Sequence, residues 1–511
     1  MSEQITPHPV GKAPWSTDGI ERDADGIAHY TELPASLIAL FQEQVEQRPD
    51  AECIIEVGGG RMTYREVWDA AARVAGGLRA AGVQDGDRVA ILTPAGNDWV
   101  LAFWGALLAG AVAVPVNTRF AQPEIDYVLE DCGASFVFGA GEPLPNGDPY
   151  VAEGKDLQDL AGIFYTSGTT GRPKGAQTTH EAFLTNTENM CRGMGFDRTI
   201  GADYRTLISV PLFHVTGCNS QLLVAMYVGG ASVILPELNV ITLMQTIVDE
   251  RISAVTTVPA VYKLMMLNPE FSSYDMSGVR WVGYGGAPIA PALVHQLREA
   301  FPQAGLKNGF GMTESASLMT VLPDQFAADH ADTVGFAMPV VDLAIDLPDE
   351  SGVGELLARG PNITTGYWNK PDATLDAFDG DWLHTGDLAR IDDDGFVRIV
   401  DRAKDMINRG GENVYCVEVE NALAAIPGVA ESAVIAVPDE VMGEKVGAVV
   451  VPAPGAELDP KDIVRQLEGA LADFKIPQFI HIAGEPLPRN PGGKVLKPGL
   501  RKQTQWGAPL R

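Results

Sequence analysis

The sequence predicts an α/β protein. We expect a large N-terminal domain of layered, mostly parallel sheets with helices, and a small C-terminal α+β domain joined to it by a hinge. Amphipathic helical segments alternate with short apolar strand segments, which is typical of parallel sheets covered by helices. Near residue 400 a charged stretch precedes about 110 residues with a hydrophobic periodicity of their own. A chain of 511 residues is also too long for one ordinary core.

The first clear helix-to-strand unit begins at Thr63. Thr63 and Glu66 have the spacing of a capping box, and Gly82 can end the helix. The apolar face of this helix is formed by Val67, Ala71, Val74 and Leu78. The strand "DRVAILTP" follows. The same order recurs in "PLFHVTGCNSQLLVAMYVGG" before "ASVILPE", and in "ITLMQTIVDERI" before "SAVTTVP".

One segment has nearly the length of a membrane span and carries no charge. It is "WVLAFWGALLAGAVAVPV", Trp99 to Val116, and glycines and a proline interrupt it. We interpret it as a buried helix that runs into a buried strand. We therefore expect no stable membrane insertion.

The C-terminal segments predict a separate small domain. They read as helix "CVEVENALAAI", strands "VAESAVIAVP" and "EKVGAVVVPA", helix "DPKDIVRQLEGALADF" and strand "QFIHIA". We assign 1–400 to the large domain and 401–511 to a small, mobile one. The junction, near Asp401 to Lys404, is short and charged, which favours a hinge over a flexible tether.

Composition excludes some classes of function. The chain has 67 acidic and 37 basic residues, a formal net charge of −30 at pH 7. Nucleic-acid binding needs a basic face, so we expect no nucleic-acid partner. The five cysteines have no CxxC spacing, which is typical of reduced thiols, and the polar N-terminus lacks the apolar run of a signal peptide. We expect a cytoplasmic protein.

The stretch "YTSGTTGRPKG", Tyr165 to Gly175, carries the strongest chemical signal. Its glycines let backbone approach a ligand, successive N–H groups can form an anion site, and its hydroxyls add donors. Arg172 and Lys174 add positive charge where no acidic residue is present. This pattern predicts a polyphosphate site. The P-loop of nucleotide hydrolases is excluded, because its second glycine would have to stand where Pro173 is.

Further motifs follow this stretch in order. They are "PLFHVTG", "YGGAP", "NGFGMTE", "HTGDLARIDDDGFVRIVDRAKDMINRGGENV" and "PRNPGGKVLK". Together they resemble the adenylate-forming superfamily of acyl-CoA synthetases, adenylation domains of peptide synthetases and luciferases. The likeness is greatest to fatty-acid and aryl-acid CoA ligases, and it runs from about Leu37 to Lys502.

The resemblance implies a set of nucleotide contacts. The loop residues that would hold the β- and γ-phosphates of ATP are Thr166, Ser167, Gly168, Thr169, Thr170 and Lys174. The residues that would border adenine are Gly286, Ala287, Asn308 and Phe310, and Gly311 and Thr313 would be further nucleotide-binding residues. Phe310, where many relatives have tyrosine, would stack on adenine. Glu314 would hold Mg²⁺ against the phosphates.

The resemblance also implies catalytic and hinge residues. Asp387 would accept the ribose hydroxyls, and Arg402 would contact ribose or phosphate. Lys494 would be the catalytic lysine, carried by a glycine-rich loop that can reach into a cleft. Lys404 matches the position at which this family pivots its small domain.

His214 would stand beside the carboxylate of the acid substrate. Amino-acid-activating relatives have an aspartate there, so His214 disfavours amino-acid substrates. Gly410, Gly411 and Tyr415 would border the channel for the thiol of coenzyme A.

Two departures from the family pattern leave details of the thiol step open. Asn408 stands where many relatives have lysine, and Cys416 where a proline is common. We do not interpret Cys416 as a nucleophile, because the acceptor thiol comes from coenzyme A.

The sequence therefore predicts a ligase that uses ATP and Mg²⁺ to join a carboxylic acid to coenzyme A through an acyl-adenylate, with release of AMP. The acid is expected to be apolar, because the pocket segments "FHVTGCNSQLL", "VTTVPAVYKLM" and "YGGAP" offer no cationic clamp for a second carboxylate. A medium- or long-chain fatty acid is favoured, and an aryl or ring-bearing acid is next. Two alternatives remain open: an adenylating enzyme that loads a carrier protein, and a catalytically silent nucleotide-binding protein. A homodimer is also left open.

Overall fold

A computed structural model of the protein describes residues 5–166, 172–287, 289, 291–410, 412–489 and 495–511. Within these residues, no helix is both long enough and apolar enough to span a lipid bilayer. The segment from Trp99 to Val116 forms a buried helix and then a buried strand, as the sequence predicted.

The helices of the described residues are α1 (Leu37–Gln47), α2 (Tyr64–Ala80), α3 (Asn97–Leu108), α4 (Gln122–Cys132), α5 (His180–Met194), α6 (Val215–Gly217), α7 (Leu223–Val228), α8 (Val240–Asp249), α9 (Pro259–Leu267), α10 (Pro291–Ala300), α11 (Pro371–Leu375), α12 (Cys416–Ala424), α13 (Pro460–Leu467) and α14 (Lys497–Gln503).

The strands of the described residues are β1 (Ile20–Arg22), β2 (Ala28–Tyr30), β3 (Glu52–Glu56), β4 (Arg61–Thr63), β5 (Arg88–Ile91), β6 (Val112–Pro115), β7 (Ala134–Phe138), β8 (Leu160–Thr166), β9 (Lys174–Thr179), β10 (Arg205–Ile208), β11 (Ala231–Ile234), β12 (Ala254–Thr257), β13 (Trp281–Gly285), β14 (Gly305–Phe310), β15 (Thr320–Leu322), β16 (Phe336–Ala337), β17 (Asp342–Asp346), β18 (Gly354–Arg359), β19 (Phe378–Asp379), β20 (Trp382–Ile391), β21 (Val397–Arg402), β22 (Ile407–Arg409), β23 (Glu412–Val414), β24 (Val429–Asp439), β25 (Gly443–Pro452) and β26 (Phe479–Ile482).

Two largely parallel sheets form the layers of the large domain. The first has the strand order β16-β15-β14-β13-β12-β10-β11-β3-β4 and is parallel from β14 to β3. The second has the order β7-β5-β6-β8-β9, and only its last pair is antiparallel. Helices α2, α3 and α5 contribute to one large apolar core, in which Trp104 and Phe103 are fully buried.

The helix at Thr63 forms as its sequence predicts. The Thr63 hydroxyl accepts from the backbone N–H of Glu66, and the Glu66 carboxylate accepts from the N–H of Thr63. The helix ends at Ala80, and Gly82 follows with a φ of +98°, a left-handed backbone that glycine adopts without strain.

An antiparallel sheet of β17 to β21 links the layered sheets to the C-terminal region, with β21 paired to β20. The prediction of mostly parallel sheets did not include this antiparallel sheet. Alternation of helices and strands indicates parallel pairing, whereas this stretch has several strands in succession with one short helix between them.

The C-terminal domain has its own sheet, ordered β23-β22-β25-β24, with β26 parallel to β25. One expectation was wrong in extent: the helix expected through "DPKDIVRQLEGALADF" begins at Pro460 but ends at Leu467. Gly469 follows shortly after, and glycine disfavours the interior of a helix.

Candidate active site

The β8–β9 hairpin frames the predicted phosphate loop. Thr166 and Lys174 are register partners at the point where the two strands separate, and the Thr166 hydroxyl donates to the Lys174 carbonyl at 3.4 Å. The hairpin therefore places Lys174 at the C-terminal end of the loop. The other predicted phosphate-binding residues, Ser167, Gly168, Thr169 and Thr170, lie outside the described residues.

Glu314 lies in a short 3₁₀ turn, Thr313–Ser315, after β14. The side chain is buried, with 7% of the residue exposed, and its Oε1 accepts a hydrogen bond of 2.8 Å from the Tyr367 hydroxyl. The ammonium of Lys174 lies 4.9 Å from the centroid of the Tyr367 ring. The structure thus brings the lysine of the phosphate hairpin and the predicted metal ligand to the same tyrosine.

The setting of Glu314 fits a magnesium ion that phosphates help to hold. In nucleotide sites Mg²⁺ takes one or two carboxylates together with phosphate oxygens. Across the described ranges, no group of three or more His, Cys, Asp and Glu side chains is placed to hold a metal by protein ligands alone. A single buried carboxylate near Lys174, the lysine predicted to bind phosphate, suits a site that protein and phosphate ligands share.

The residues predicted to border adenine meet where two parallel strands end. Gly286 and Ala287 follow β13, and Asn308 and Phe310 close the neighbouring β14. The Asn308 amide donates to the Thr333 carbonyl at 3.2 Å, which fixes its orientation. The carboxyl ends of parallel strands are the usual position of ligand sites in α/β sheets.

Gly311 turns the chain from β14 towards Glu314 in a place that has no room for a side chain. A Cβ at this position would lie 1.7 Å from the carbonyl oxygen of Ser317. Any other residue would have to displace backbone beside Glu314. Gly311 therefore has a packing role that is independent of any ligand contact.

Asp387 and Arg402 are brought together across β20 and β21. They are register partners, and Nε of Arg402 lies 2.7 Å from Oδ1 of Asp387. Asp387 is 4% exposed. A charge-assisted pair of this kind orients a carboxylate and its oxygens.

His214 precedes the short helix α6, which continues into a π-helical stretch at Cys218–Leu222. A π-helical turn within a helix is rare and is often found at functional sites. This stretch is hydrogen-bonded to the turn that carries Glu314. The Asn219 amide donates to the Ala316 carbonyl at 2.9 Å, and the Ser220 hydroxyl donates to the Ser317 hydroxyl at 2.8 Å. The sequence analysis missed this link, although the polar run "CNSQ" inside an apolar segment was a signal for it.

The strained backbone beside Glu314 is held by this link. Ala316 and Ser317 have φ values of 52° and 121°, which non-glycine residues rarely adopt. Such conformations persist when surrounding contacts determine them. The hydrogen bonds from Asn219 and Ser220 therefore couple the segment predicted to face the acid to the predicted metal turn.

Lys404 lies in the turn that follows β21, where the N–H of Ala403 donates to the Gly386 carbonyl at 3.0 Å. Gly410 has a φ of +63° and donates its N–H to the Met442 carbonyl at 2.8 Å. Tyr415 is the residue before α12. Gly411 and Lys494 lie outside the described residues.

Cys416 is fully buried at the start of α12, and burial raises the pKa of its thiol. Its backbone N–H donates to the carboxylate of Asp401, which is also buried. Burial raises the pKa of Asp401 to about 6, against a usual value of 3.8. A buried, protonated thiol is a poor nucleophile, which agrees with the sequence interpretation of Cys416.

The matches to known proteins cover both domains. The AMP-binding enzyme family matches residues 41–149 and 139–368, and the AMP-binding enzyme C-terminal domain matches residues 418–494. The chain belongs to the AMP-binding enzyme family, and its layered α/β fold with a small C-terminal domain is the fold of adenylate-forming enzymes.

Two curated relatives and one solved structure illustrate the similarity. A feruloyl-CoA synthase from an Amycolatopsis species is 36% identical over 474 residues, which cover 87% of this chain and 94% of that protein. The long-chain-fatty-acid–CoA ligase FadD13 of Mycobacterium tuberculosis is 37% identical over 485 residues, covering 88% and 94%. The structure of o-succinylbenzoate coenzyme A synthetase from Bacillus subtilis with ATP and magnesium ion has a TM-score of 0.80 at 27% identity, covering 90% and 99%.

Proposed function

We propose that this protein is an ATP-dependent, AMP-forming ligase that joins an apolar carboxylic acid to coenzyme A. The observation that carries the proposal is the meeting of Lys174 and Glu314 at Tyr367, with Glu314 in the turn that follows β14. A metal-bound polyphosphate needs both a cation and a carboxylate, so this pairing supports the proposal. The similarity to a feruloyl-CoA synthase and a long-chain-fatty-acid–CoA ligase supports the reaction.

In the first half-reaction, a carboxylate oxygen of the acid attacks the α-phosphorus of ATP, and pyrophosphate leaves. We assign the β- and γ-phosphates to Lys174 and the hairpin loop, and the ribose hydroxyls to Asp387, which Arg402 orients. Glu314 would hold Mg²⁺, which neutralises phosphate charge. Lys494 would add a cation to the charge that develops as the bond to pyrophosphate breaks.

In the second half-reaction, the thiolate of coenzyme A attacks the acyl carbon, and AMP leaves. Lys494 has to withdraw before the thiol can approach. We propose that the small domain, residues 401–511, turns about Lys404 and brings the turn from Gly410 to Tyr415 to the thiol channel. The division at residues 400 and 401 is part of this proposal.

We propose a medium- or long-chain fatty acid as substrate, with an aryl or ring-bearing acid next. His214 replaces the aspartate that would pair with an amino group. The described residues of the pocket segments include one cation, Lys263, which is exposed and donates to Gln296 at 3.3 Å. It is therefore not a buried clamp for a second carboxylate.

A pyrophosphate-release screen tests the proposed function. The panel holds fatty acids of increasing length, cinnamic and benzoic acids, a dicarboxylic acid and an amino acid, each with and without coenzyme A. We expect release with the apolar monocarboxylic acids, and acyl-CoA only when coenzyme A is present. Release without any acyl-CoA, together with loading of a phosphopantetheinylated carrier protein, would support the carrier-loading alternative. If no acid led to pyrophosphate release, the result would support a catalytically silent nucleotide-binding protein.

We further propose a cytoplasmic location and allow for a homodimer. The location is supported by the five cysteines, all of which are buried and free. Sedimentation of the purified protein tests the dimer, since a monomer and a dimer differ twofold in mass.

A further inference from the structure

Tyr367 contacts both of the charged groups that the proposed chemistry uses. Its hydroxyl donates to Oε1 of Glu314 at 2.8 Å, and its ring faces the ammonium of Lys174 at 4.9 Å from the centroid. Both Lys174 and Glu314 belong to the described residues, and they do not form an ion pair within 4.0 Å. Tyr367 therefore contacts an ammonium through its ring and a carboxylate through its hydroxyl, and these two opposite charges do not pair with each other.

The segment that carries Tyr367, residues 362–370, is fixed on the Glu314 side. The Asn362 amide donates to the carbonyls of Ser315 and Leu318 at 3.1 and 2.9 Å. The N–H of Thr364 donates to the Glu314 carbonyl at 2.7 Å. We call residues 362–370 the clasp, because the same segment also holds the phosphate hairpin.

On the hairpin side, the clasp is bonded to β9. The Thr364 hydroxyl donates to the Gln177 carbonyl at 2.7 Å, and the N–H of Gln177 to the Gly366 carbonyl at 3.0 Å. The N–H of Trp368 donates to the carbonyl of Gly175 at 2.8 Å. These bonds fix the strand that begins with Lys174.

The far end of the clasp reaches the other strand of the hairpin through a buried carboxylate. The Lys370 ammonium pairs with Asp131, and the Tyr165 hydroxyl donates to the same carboxylate at 2.8 Å. Tyr165 is the second-last residue of β8, just before the phosphate loop. The clasp is thus bonded directly to β9 and to the turn that carries Glu314, and it is linked to β8 through Asp131.

We infer that Tyr367 is a positioning residue that keeps Lys174 and Glu314 apart and aims the Glu314 carboxylate, so that phosphate and Mg²⁺ find both groups available. Without the ring, the ammonium and carboxylate would close on each other, and ATP would have to break that pair. Without the hydroxyl, the carboxylate would lose the bond that orients it. Magnesium is demanding about ligand geometry, so orientation matters to its binding. This inference rests on the proposed function, because it assigns phosphate to Lys174 and Mg²⁺ to Glu314.

Two variants test separately the aiming of Glu314 and the spacing between Lys174 and Glu314. In each variant, binding of a non-hydrolysable ATP analogue is measured by calorimetry. Tyr367→Phe keeps the ring and removes the donor. We expect analogue binding without Mg²⁺ to stay as in the wild type. The Mg²⁺ concentration that gives half of the maximal enhancement of analogue binding should rise about tenfold, which is the effect of losing a hydrogen bond to a charged group. An unchanged Mg²⁺ dependence would overturn the aiming role.

Tyr367→Leu removes the ring as well. We expect Mg²⁺-free binding of the analogue to weaken about tenfold, because Lys174 then pairs with Glu314. Adding Glu314→Gln to this variant should restore most of the lost Mg²⁺-free binding, since the amide cannot pair with the ammonium. In the wild-type background, Glu314→Gln should strengthen Mg²⁺-free binding by a smaller factor. Equal gains in the two backgrounds would show a general structural defect and overturn the spacing role.

Tyr227→Phe is the matched control. Tyr227 also lies under a cation, Arg198, at 4.5 Å, and its hydroxyl also donates to a carboxylate, Glu188, at 2.9 Å, but both partners lie outside the clasp and the hairpin. We expect wild-type binding with and without Mg²⁺. If Tyr227→Phe reproduced the Tyr367→Phe result, the inference would be wrong. If the wild type bound no analogue at all, the proposed function itself would be wrong.

Discussion

Arg402 and Asp387 form an ion pair across neighbouring strands, with Nε of Arg402 at 2.7 Å from Oδ1 of Asp387. Asp387 belongs to the long strand β20, and Arg402 is the last residue of β21, two residues before Lys404. The pair therefore joins the proposed ribose acceptor to the segment where the two domains meet. A movement of the small domain about Lys404 would begin directly beside the nucleotide.

The first prediction concerns Asp387. Asp387→Asn keeps the size of the side chain but removes the charge that pairs with Arg402 and that is proposed to accept the two ribose hydroxyls. We expect the KM for ATP to rise about tenfold, the effect of weakening hydrogen bonds to a charged group, with little change in the KM for the acid. Asp379→Asn, at an exposed position on β19 of the same sheet, is the control. An unchanged KM for ATP would remove Asp387 from the nucleotide site.

The second prediction concerns Lys494. Lys494→Ala should lower the rate of adenylation about a hundred- to a thousandfold, since it removes a cation from the charge that develops on pyrophosphate. Thioester formation from supplied acyl-adenylate should proceed at the wild-type rate. Lys502→Ala, on the exposed face of α14, is the control. Equal losses in both half-reactions would contradict a role confined to adenylation.

Sequence reasoning could propose a nucleotide site because the residues assigned to it lie in short contiguous motifs. Lys174 and Glu314 are far apart in the chain, yet each stands in a recognisable motif, and the structure brings both to one side chain. Tyr367 was missed because nothing in "GYWNK" shows what it faces. Its contacts depend on how the clasp crosses β9, which is tertiary packing.

The parts of the fold that depend on local sequence signals were also predictable. The capping box at Thr63 and the apolar run from Trp99 are local signals, and both formed as expected. The π-helical stretch at Cys218–Leu222 was not predictable from periodicity, because it is held by bonds from Asn219 and Ser220 to a distant turn. The polar run "CNSQ" signals that this segment needs hydrogen-bond partners, but it does not show which distant turn supplies them.

The third prediction concerns the hinge. Lys404→Pro fixes φ near about −65° at the proposed pivot. We expect acyl-adenylate to form and its transfer to coenzyme A to be lost, whereas Lys404→Ala, which leaves the backbone free, should transfer. Single-turnover assays of each half-reaction measure this. Wild-type transfer by the proline variant would place the pivot elsewhere.

The fourth prediction concerns pH. Burial raises the pKa of Asp401 from 3.8 to about 6, so the folded protein binds a proton more tightly than the unfolded chain does. The stability due to this proton is present below about pH 4 and is lost as the pH rises to about 6. Asp401→Asn cannot titrate, so the melting temperature of the variant relative to wild type should rise across this range.

Loss of the bonds that Asp401 accepts from Arg402 and Cys416 would lower the melting temperature of the asparagine variant equally at every pH. The slope of the difference against pH is therefore the informative quantity. A flat difference between pH 4 and pH 7 would contradict the raised pKa.

The fate of the carboxylate oxygens tests the proposed chemistry most directly. If the acid attacks the α-phosphorus of ATP and coenzyme A then displaces AMP at the acyl carbon, one carboxylate oxygen leaves with AMP. With a fatty acid labelled with ¹⁸O in its carboxylate, the account predicts one labelled oxygen in the phosphate of AMP and the other in the acyl-CoA, read by mass spectrometry. Unlabelled AMP, or label in inorganic phosphate beside ADP, would contradict it.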